Sequence, residues 1–197
     1  MSIQKVLLFD FGGVIGSESY FGWLKKNIPN FQERRARFQE IANKGDLGQV
    51  TTEDFFKLVS RATNIPLRNV WKEIYEPVTI NSKLISLIRR LKKDYTIVLF
   101  SNYMGEFLRI ILEKHKIINL FDDIFISSEQ RVKKPDKKAF LKILKRLNVE
   151  KDNVFFIDDQ EKNVQAGQEM GIDSIVFIDV NQLTQNLQSR GILIASK

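Results

Sequence analysis

Five short apolar runs without helical period restrict the possible folds of this sequence most strongly. They are rich in β-branched and aromatic residues and span residues 6–9, 96–100, 124–126, 154–157 and 174–177. Runs of this length and composition predict strands that are buried on both faces. A sheet covered on both faces needs helices on either side of it, so helices should connect these strands.

The segments between the later strands carry helical signals. Ser82 and Asp136 are placed to cap two helices that carry apolar stripes at helical spacing. A third helical pattern runs from about residue 160 to residue 170 and stops at Gly171, a residue type that commonly ends helices. Strands that alternate with helices predict a parallel, doubly wound sheet, which is a Rossmann-like α/β fold.

One long segment, residues 16–78, interrupts this alternation. Its aromatic and aliphatic residues recur at helical spacings, with breaks at Pro29 and Pro66 among others. We interpret these aromatic residues as the core of a small helical bundle rather than as a cofactor site. The sequence therefore predicts an α/β core made of residues 1–15 and 79–197, with a helical insertion after the first strand.

The residue types present limit the chemistry. The 197-residue chain has no Cys and a single His, His115, which lies in a Lys-rich helical stretch. Disulfides, thiolate metal sites, a Cys nucleophile and sites built from several His residues are thereby excluded. Any catalysis must use carboxylates, hydroxyls and amines.

The chain is basic, with 31 Lys and Arg residues against 24 Asp and Glu residues and a formal net charge of +7. Clustered cations favour nucleic acids, but here they are scattered among acids, and the densest tracts, 33–37 and 89–93, fall in helical patterns typical of solvated faces. Nucleic acid is therefore not the expected partner. The N-terminal apolar run stops at Asp10, and no run approaches the roughly 18 residues of a membrane span, so we expect a cytoplasmic protein without a membrane partner.

Polar residues follow four of the five predicted strands. Ligands of parallel α/β sheets bind beyond the carboxyl ends of the strands, which makes these residues the candidates for function. They are Asp10, Gly12 and Gly13 after the first strand, Ser101 and Asn102 after the second, Lys133 and Lys134 past the third, and Asp158 and Asp159 after the fourth. Taken singly, most have ordinary explanations as turn residues, helix caps or surface residues.

The acidic pair Asp158 and Asp159 is the strongest single signal. A buried strand that ends in two carboxylates concentrates negative charge where only a cation stabilises it. Together with Asp10, one hydroxyl and one amine at neighbouring strand ends, the pair could supply an oxygen site for Mg²⁺, a nucleophilic carboxylate and two groups for phosphate oxygens. This combination indicates phosphoryl transfer to an aspartate.

These motifs also occur in the order typical of one family. Asp10 lies in the segment 8–14, Ser101 in 99–102, Lys134 in 133–136 with Phe140 after it, and the acidic pair is followed by Asn163 and Gly167. On these residues the chain resembles a hydrolase of the haloacid dehalogenase (HAD) superfamily with a helical cap, residues 16–78, inserted after the first motif. The resemblance extends from residue 5 to about residue 178, and the Asp-x-Gly form of the first motif resembles a branch of sugar-phosphate phosphatases.

The resemblance implies a Mg²⁺-dependent phosphatase that forms an aspartyl-phosphate. Asp10 would be the nucleophile, and Asp10, Asp159 and the Gly12 carbonyl would bind the metal. Asp158 would either support these ligands without touching the metal or replace one of them as a ligand. The catalytic group would also include Ser101 and Lys134. The phosphate would be bound by Gly12, Gly13, Ser101, Asn102 and Lys134.

One residue departs from the family pattern. Most phosphatases of the family carry a second Asp two residues after the nucleophile, which acts as general acid and then as base; here Gly12 stands at that place. Either the chain is a non-catalytic binding protein with this fold, or another acid or a water supplies the proton. A 2-haloacid dehalogenase is a further alternative, which the paired carboxylates Asp158 and Asp159 disfavour because those enzymes use no metal. The order of the motifs likewise disfavours a response-regulator receiver.

The cap is expected to determine the substrate, because it normally covers the site. Ser17, Glu18 and Tyr20 lie just past the nucleophile loop, where a cap hinge is expected, and are candidates for substrate contact. The resemblance implies a small phosphorylated metabolite, with a sugar phosphate as the preferred class. Asn163 either ties the acidic loop to its helix or lies on the helix surface.

Overall fold

The computed structural model describes residues 5–18 and 20–194. The predicted core also contains residues 1–4 and 195–197, which lie outside the described residues. One sheet is formed by β1 (Val6–Phe9), β2 (Thr96–Ser101), β3 (Asp123–Ile126), β4 (Val154–Asp158) and β5 (Asp173–Val176). Each of these strands overlaps one of the five predicted runs.

The sheet is parallel throughout, and its strand order is β3-β2-β1-β4-β5. The chain moves outward from the central β1 to β2 and β3, and then crosses back to place β4 on the other side of β1. This order confirms the predicted doubly wound α/β fold. It also puts the point where the winding direction reverses between β1 and β4, which is where such sheets bind ligands.

Helices connect the strands and cover the sheet. In chain order they are α1 (Tyr20–Asn27), α2 (Phe31–Asp46), α3 (Thr52–Thr63), α4 (Leu67–Tyr75), α5 (Ser82–Leu91), α6 (Gly105–Lys114), the short α7 (Ser127–Gln130), α8 (Lys137–Leu147), α9 (Glu161–Glu169) and α10 (Val180–Ser189). Single 3₁₀ turns, Ile118–Leu120 and Lys151–Asn153, precede β3 and β4.

The two faces of the sheet have separate apolar cores. Leu7 and Phe9 of β1 belong to one cluster, together with residues of α5, α6 and the helices between residues 20 and 75. Val6 and Leu8 point to the other face and belong to a cluster with residues of α8 and α9. Burial on both faces explains why the strands are continuous apolar runs rather than alternating ones.

The helix ends confirm one predicted cap and correct another. Asp136 caps α8 as predicted, since its carboxylate accepts a hydrogen bond of 2.9 Å from the Lys138 N–H. The cap of α5 is Asn81 rather than Ser82, because Asn81 Oδ1 accepts a bond of 3.1 Å from the Leu84 N–H and Ser82 is already the first helical residue. Asn and Ser are about equally good caps, so adjacent positions cannot be ranked by residue type alone.

Two other residues at element ends have clear assignments. Ser101 is the last residue of β2 and caps no helix, since α6 begins only at Gly105. The predicted stop of α9 at Gly171 is confirmed, because this glycine adopts the left-handed conformation with φ of 78°. A residue with a side chain would be strained there.

The predicted insertion contains α1 to α4, and its two ends meet at the core. The Ser17 N–H donates to the Thr79 carbonyl at 2.9 Å, and the Thr79 N–H donates to Ser17 Oγ at 3.0 Å. The Asn81 N–H also donates to the Ile15 carbonyl at 2.9 Å. This pairing is compatible with a cap at residues 16–78, and that boundary stays a prediction.

Candidate active site

The candidate residues at the strand ends meet where the winding reverses. Phe9 and Ile157 are register partners at the carboxyl ends of β1 and β4, and the Asp10 N–H donates to the Ile157 carbonyl at 2.9 Å. Asp10 and Asp158 therefore follow neighbouring strands at the same edge of the sheet. Ser101 occupies the corresponding end of β2 on the other side of β1.

Three carboxylates and one ammonium form the centre of the site. Asp10, Asp158 and Asp159 each offer an oxygen, and these oxygens lie within 4.8 Å of one another. The Lys134 side chain is buried between two of them, with its Nζ 3.1 Å from Asp10 Oδ1 and 2.5 Å from Asp158 Oδ2. The Phe100 carbonyl accepts a third bond from Nζ at 2.6 Å.

These three acceptors account for all three hydrogens of the Lys134 ammonium. In this arrangement the ammonium hydrogens are all engaged within the protein, so Lys134 would act on a bound anion through its charge. Burial lowers the pKa of Lys134, but Asp10 and Asp158 raise it by more, so the net shift is upward and the ammonium stays charged.

Asn102 holds the backbone that carries this lysine. Its side-chain amide donates to the Lys134 carbonyl at 2.8 Å, and its Oδ1 accepts from the Lys134 N–H at 2.9 Å. Both ends of the side chain are thus engaged within the protein. One amide N–H of Asn102 is not used by these two bonds, and the predicted contact of Asn102 with phosphate stays a prediction.

The two neighbouring carboxylates Asp158 and Asp159 have different environments. Asp158 is fully buried and accepts hydrogen bonds from the Asn163 side chain at 3.0 and 3.1 Å and from the Gln160 N–H at 2.8 Å, besides the bond from Lys134. Asp159 is half-buried, and its Oδ1 has no hydrogen-bond partner among the described residues. The Asn163 contact also answers an open alternative, since this side chain is 1% exposed and ties the acidic loop to α9.

The electrostatics of the site favour a divalent cation. Burial raises the pKa of Asp10 to about 7, against the lowering effect of Lys134. Burial, followed by the charge of Asp158, raises the pKa of Asp159 to about 6. One ammonium thus faces three carboxylates, and the buried, unpartnered Asp159 Oδ1 is a hard oxygen donor of the kind that Mg²⁺ prefers.

The loop after β1 shapes the other side of the site. Gly13 adopts φ of 68°, and a Cβ built there would overlap Asp159 Oδ2, so both backbone conformation and space require glycine. The Gly13 N–H donates to the Gly16 carbonyl at 2.9 Å and is engaged in this turn. Ser101 Oγ is buried without a well-directed hydrogen bond, although it lies close enough to Asp10 to lower the pKa of that carboxyl slightly.

A cavity of about 370 Å³ opens beside these residues, between the strand ends and the inserted helices. Glu18 and Tyr20, two of the three residues predicted to contact the substrate, are among its lining residues, and that contact stays a prediction. The third, Ser17, is outside the lining and is engaged with Thr79 at the base of the insertion.

The sequence did not reveal an ion pair in this cavity. Lys133 of the core lies 3.4 Å from Asp46 at the end of α2, and it also donates to Asn43 Oδ1 at 2.8 Å. Burial raises the pKa of Asp46 to about 6, against the lowering effect of Lys133. In the sequence Asp46 is part of a Gly-Asp-Leu-Gly helix stop, and no local signal connects it to a lysine 87 residues away.

Comparison with known proteins agrees with this architecture. A family model described as haloacid dehalogenase-like hydrolase matches residues 48–177. A sesquiterpene phosphatase of Aspergillus oryzae is 23% identical over 184 residues, which cover 89% of this chain and 90% of the relative. A flavin mononucleotide hydrolase of Arabidopsis thaliana is 30% identical over 102 residues, which cover 52% of this chain and 41% of the relative.

A solved structure has the same fold. It is a HAD-family enzyme of Bacteroides thetaiotaomicron in complex with magnesium and inorganic phosphate, with a TM-score of 0.76 and 21% identity over 92% of this chain and 99% of the other. In the described part of the present chain, no helix has the length and apolar character needed to cross a membrane.

Proposed function

This chain belongs to the haloacid dehalogenase-like hydrolase family, and on that basis we propose that it is a Mg²⁺-dependent phosphatase of a small phosphorylated metabolite. One observation carries the proposal. Three carboxylates cluster where the winding of the sheet reverses, a buried lysine pairs with two of them, and Asp159 Oδ1 and Ser101 Oγ are left without a well-directed hydrogen bond. The relatives named for phosphatase and nucleotide hydrolase activities support the same reaction class.

The metal would be held by carboxylate oxygens of Asp10 and Asp159 and by the Gly12 carbonyl. When bound there, Mg²⁺ would withdraw charge from the phosphate oxygens and neutralise the carboxylates. Asp158 is already satisfied by Lys134, Asn163 and a backbone N–H, so its role is to position Lys134 and the acidic loop.

Asp10 is the proposed nucleophile. Its Oδ1 accepts a bond of 2.7 Å from the Phe11 N–H and faces Lys134, which fixes the orientation of the carboxylate. One Asp10 oxygen forms a bond to phosphorus as the bond to the leaving oxygen breaks, and water then hydrolyses the aspartyl-phosphate. Ser101 Oγ donates to a phosphate oxygen, and Lys134 offsets the negative charge.

The cavity supports a compact organic leaving group. Residues of α2, namely Gln39, Asn43 and Asp46, supply polar groups, which suits the hydroxyls of a sugar phosphate. Tyr20 and Phe107 add aromatic surface to the same cavity. Sugar phosphates are therefore the preferred class, and an apolar phosphate is the competing class that the sesquiterpene phosphatase relative suggests.

The test is phosphate release from a panel of esters, with Mg²⁺ and with a chelator. The panel contains sugar phosphates, a prenyl monophosphate, flavin mononucleotide and 4-nitrophenyl phosphate. We expect release that requires Mg²⁺ and is abolished in Asp10→Asn, a substitution that preserves the size of the side chain. Absence of activity on every ester would favour the non-catalytic binding protein instead, and halide release from a 2-haloacid without metal would favour a dehalogenase.

A further inference from the structure

Glu18 occupies the space beside Gly12 that a longer side chain at position 12 would use. A Cβ built on Gly12 would lie 3.1 Å from Glu18 Oε1, 3.4 Å from its Cγ and 3.7 Å from its Cδ. The backbone conformation of Gly12 lies outside the left-handed region, so the lack of a side chain there is not required by strain. The carboxyl group of Glu18 therefore lies next to the point from which a side chain at residue 12 would project.

We propose that Glu18 is the general acid and general base of the phosphatase reaction, in place of the Asp that most family phosphatases carry at position 12. This inference rests on the proposed function. It assigns the leaving-group proton, which the first motif itself cannot supply because Gly12 has no side chain.

The turn after β1 explains how a residue six positions further on reaches this place. The Gly16 N–H donates to the Phe11 carbonyl at 2.8 Å, and the Gly13 N–H donates to the Gly16 carbonyl at 2.9 Å, which folds the chain back on itself. The Phe11 ring packs against Gly16, where an added Cβ would lie 2.5 Å from Cζ of that ring. The returning segment therefore passes directly beside Gly12.

Ser17 then fixes this segment to the core. Its N–H and its Oγ both bond to Thr79, at 2.9 and 3.0 Å, so the backbone immediately before Glu18 is held on two sides. Glu18 thus directly follows a backbone segment that is hydrogen-bonded at the base of the insertion. A group that must meet the reacting atoms needs this kind of support.

The surroundings of Glu18 suit proton transfer. Its side chain is exposed and lines the cavity, and no hydrogen bond or ion pair to another described residue holds its carboxyl group. It lies beside Gly12 at one side of the cavity and shares the cavity lining with Asp46 of α2. Asp46 itself is paired with Lys133 and is less free to move a proton.

The proposed step balances as follows. An Asp10 oxygen bonds to phosphorus, the bond from phosphorus to the leaving oxygen breaks, and that oxygen takes the proton of the Glu18 carboxyl group. Water then attacks phosphorus and gives one proton to the Glu18 carboxylate as the bond to Asp10 breaks. The products are the alcohol and inorganic phosphate, and both carboxyl groups return to their starting states.

The test compares wild type and Glu18→Gln on two esters, the best alkyl phosphate of the panel and 4-nitrophenyl phosphate. Nitrophenolate is a good leaving group without protonation, whereas an alkoxide needs a proton to leave. In Glu18→Gln the rate of phosphoenzyme formation should therefore fall about 10²- to 10⁴-fold for the alkyl ester and stay near the wild-type rate for the aryl ester. Because the water step also lacks its base, phosphoenzyme should accumulate in Glu18→Gln with the aryl ester. Intact mass spectrometry after an acid quench measures this accumulation.

Asp46→Asn is the matched control, because it removes the charge of another cavity carboxylate that has a different neighbour. We expect it to change the rates for both esters by a similar factor, without accumulation of phosphoenzyme. Equal slowing of both esters in Glu18→Gln, with no phosphoenzyme, would indicate a merely structural role and overturn the proposal.

A rescue variant gives an independent readout. Glu18→Ala frees the space beside position 12, and adding Gly12→Asp should then restore alkyl ester hydrolysis at least about tenfold over Glu18→Ala alone, as expected for a replaced general acid. An active wild type whose alkyl ester rate survives Glu18→Gln would overturn the role of Glu18 and leave the proposed function intact. A wild type that hydrolyses no ester would overturn the proposed function and this inference with it.

Discussion

Replacing Lys134 by Met tests the electrostatic structure of the site. The substitution keeps an unbranched, apolar side chain in a position where Nζ lies 5.0 and 5.2 Å from the centres of the Phe100 and Phe156 rings. It removes the charge between Asp10 and Asp158, which are 5% and 0% exposed. The two carboxylates are then left close together without their cation.

The expected cost follows from this burial. Removing one partner of a buried ion pair costs about 3–5 kcal/mol, because an uncompensated charge stays behind. For a chain of this size, each kcal/mol lowers Tm by about 2–4 °C, so we expect a loss of about 6–20 °C without metal near pH 7.5. Part of the loss should be recovered at lower pH, where the carboxylates bind protons, and part by Mg²⁺.

Thermal melts followed by circular dichroism measure the effect. Lys137→Met is the control, since Lys137 pairs with Glu169 at 3.2 Å and both side chains are more than half exposed. Such a surface pair contributes about 0–1 kcal/mol. A similar loss in the two variants, or a loss in Lys134→Met that does not depend on pH, would refute the reasoning.

Three further results are expected. The pKa values of Asp10 and Asp159 are raised to about 7 and about 6, so the folded protein binds more protons than the unfolded chain. The metal-free protein should therefore lose stability as pH rises from about 4 to about 7, and the Tm increase caused by Mg²⁺ should grow over the same range. Thermal melts at a series of pH values measure both trends, and a flat profile would contradict the prediction. Gly13→Ala should weaken Mg²⁺ binding at least about tenfold in a calorimetric titration, because the new Cβ displaces Asp159, whereas Gly191→Ala, at another left-handed glycine with no nearby atoms, should not. Asn102→Ala leaves two buried backbone groups of Lys134 without their partners and should cost about 1–3 kcal/mol in chemical denaturation, and an unchanged midpoint would show that water replaces them.

The functional residues at the strand ends were predictable because each follows its apolar run directly in the sequence. Acids follow the buried runs at Asp10 and at Asp158 and Asp159. Because all strands of a parallel sheet run in the same direction, their carboxyl ends lie at one edge of the sheet. The order of the strands, with β4 beside β1, then places these residues together. The α/β fold was therefore predictable from the alternation of strands and helices, whereas the grouping of the acids also depends on this strand order.

Other parts of the site depend on contacts that no local pattern encodes. The position of Glu18 over Gly12 results from a turn closed by Gly13 and Gly16, and each of these glycines alone resembles an ordinary loop residue. The pairing of Lys133 with Asp46 needs the docking of α2 on the core. The sequence likewise did not show which of Asp158 and Asp159 is buried and hydrogen-bonded and which keeps an oxygen without a hydrogen-bond partner among the described residues. Their environments differ only because Lys134 and Asn163 pack against Asp158.

The central claim is that Asp10 carries the phosphoryl group. An acid-quenched reaction of wild type with its best ester and Mg²⁺, followed by peptide mass spectrometry, measures this directly. The account predicts a phosphorylated Asp10 that does not form when chelator is present from the start of the reaction. It also predicts no phosphorylated peptide in Asp10→Asn. Phosphate release by Asp10→Asn at the wild-type rate, without any phosphorylated peptide, would contradict it.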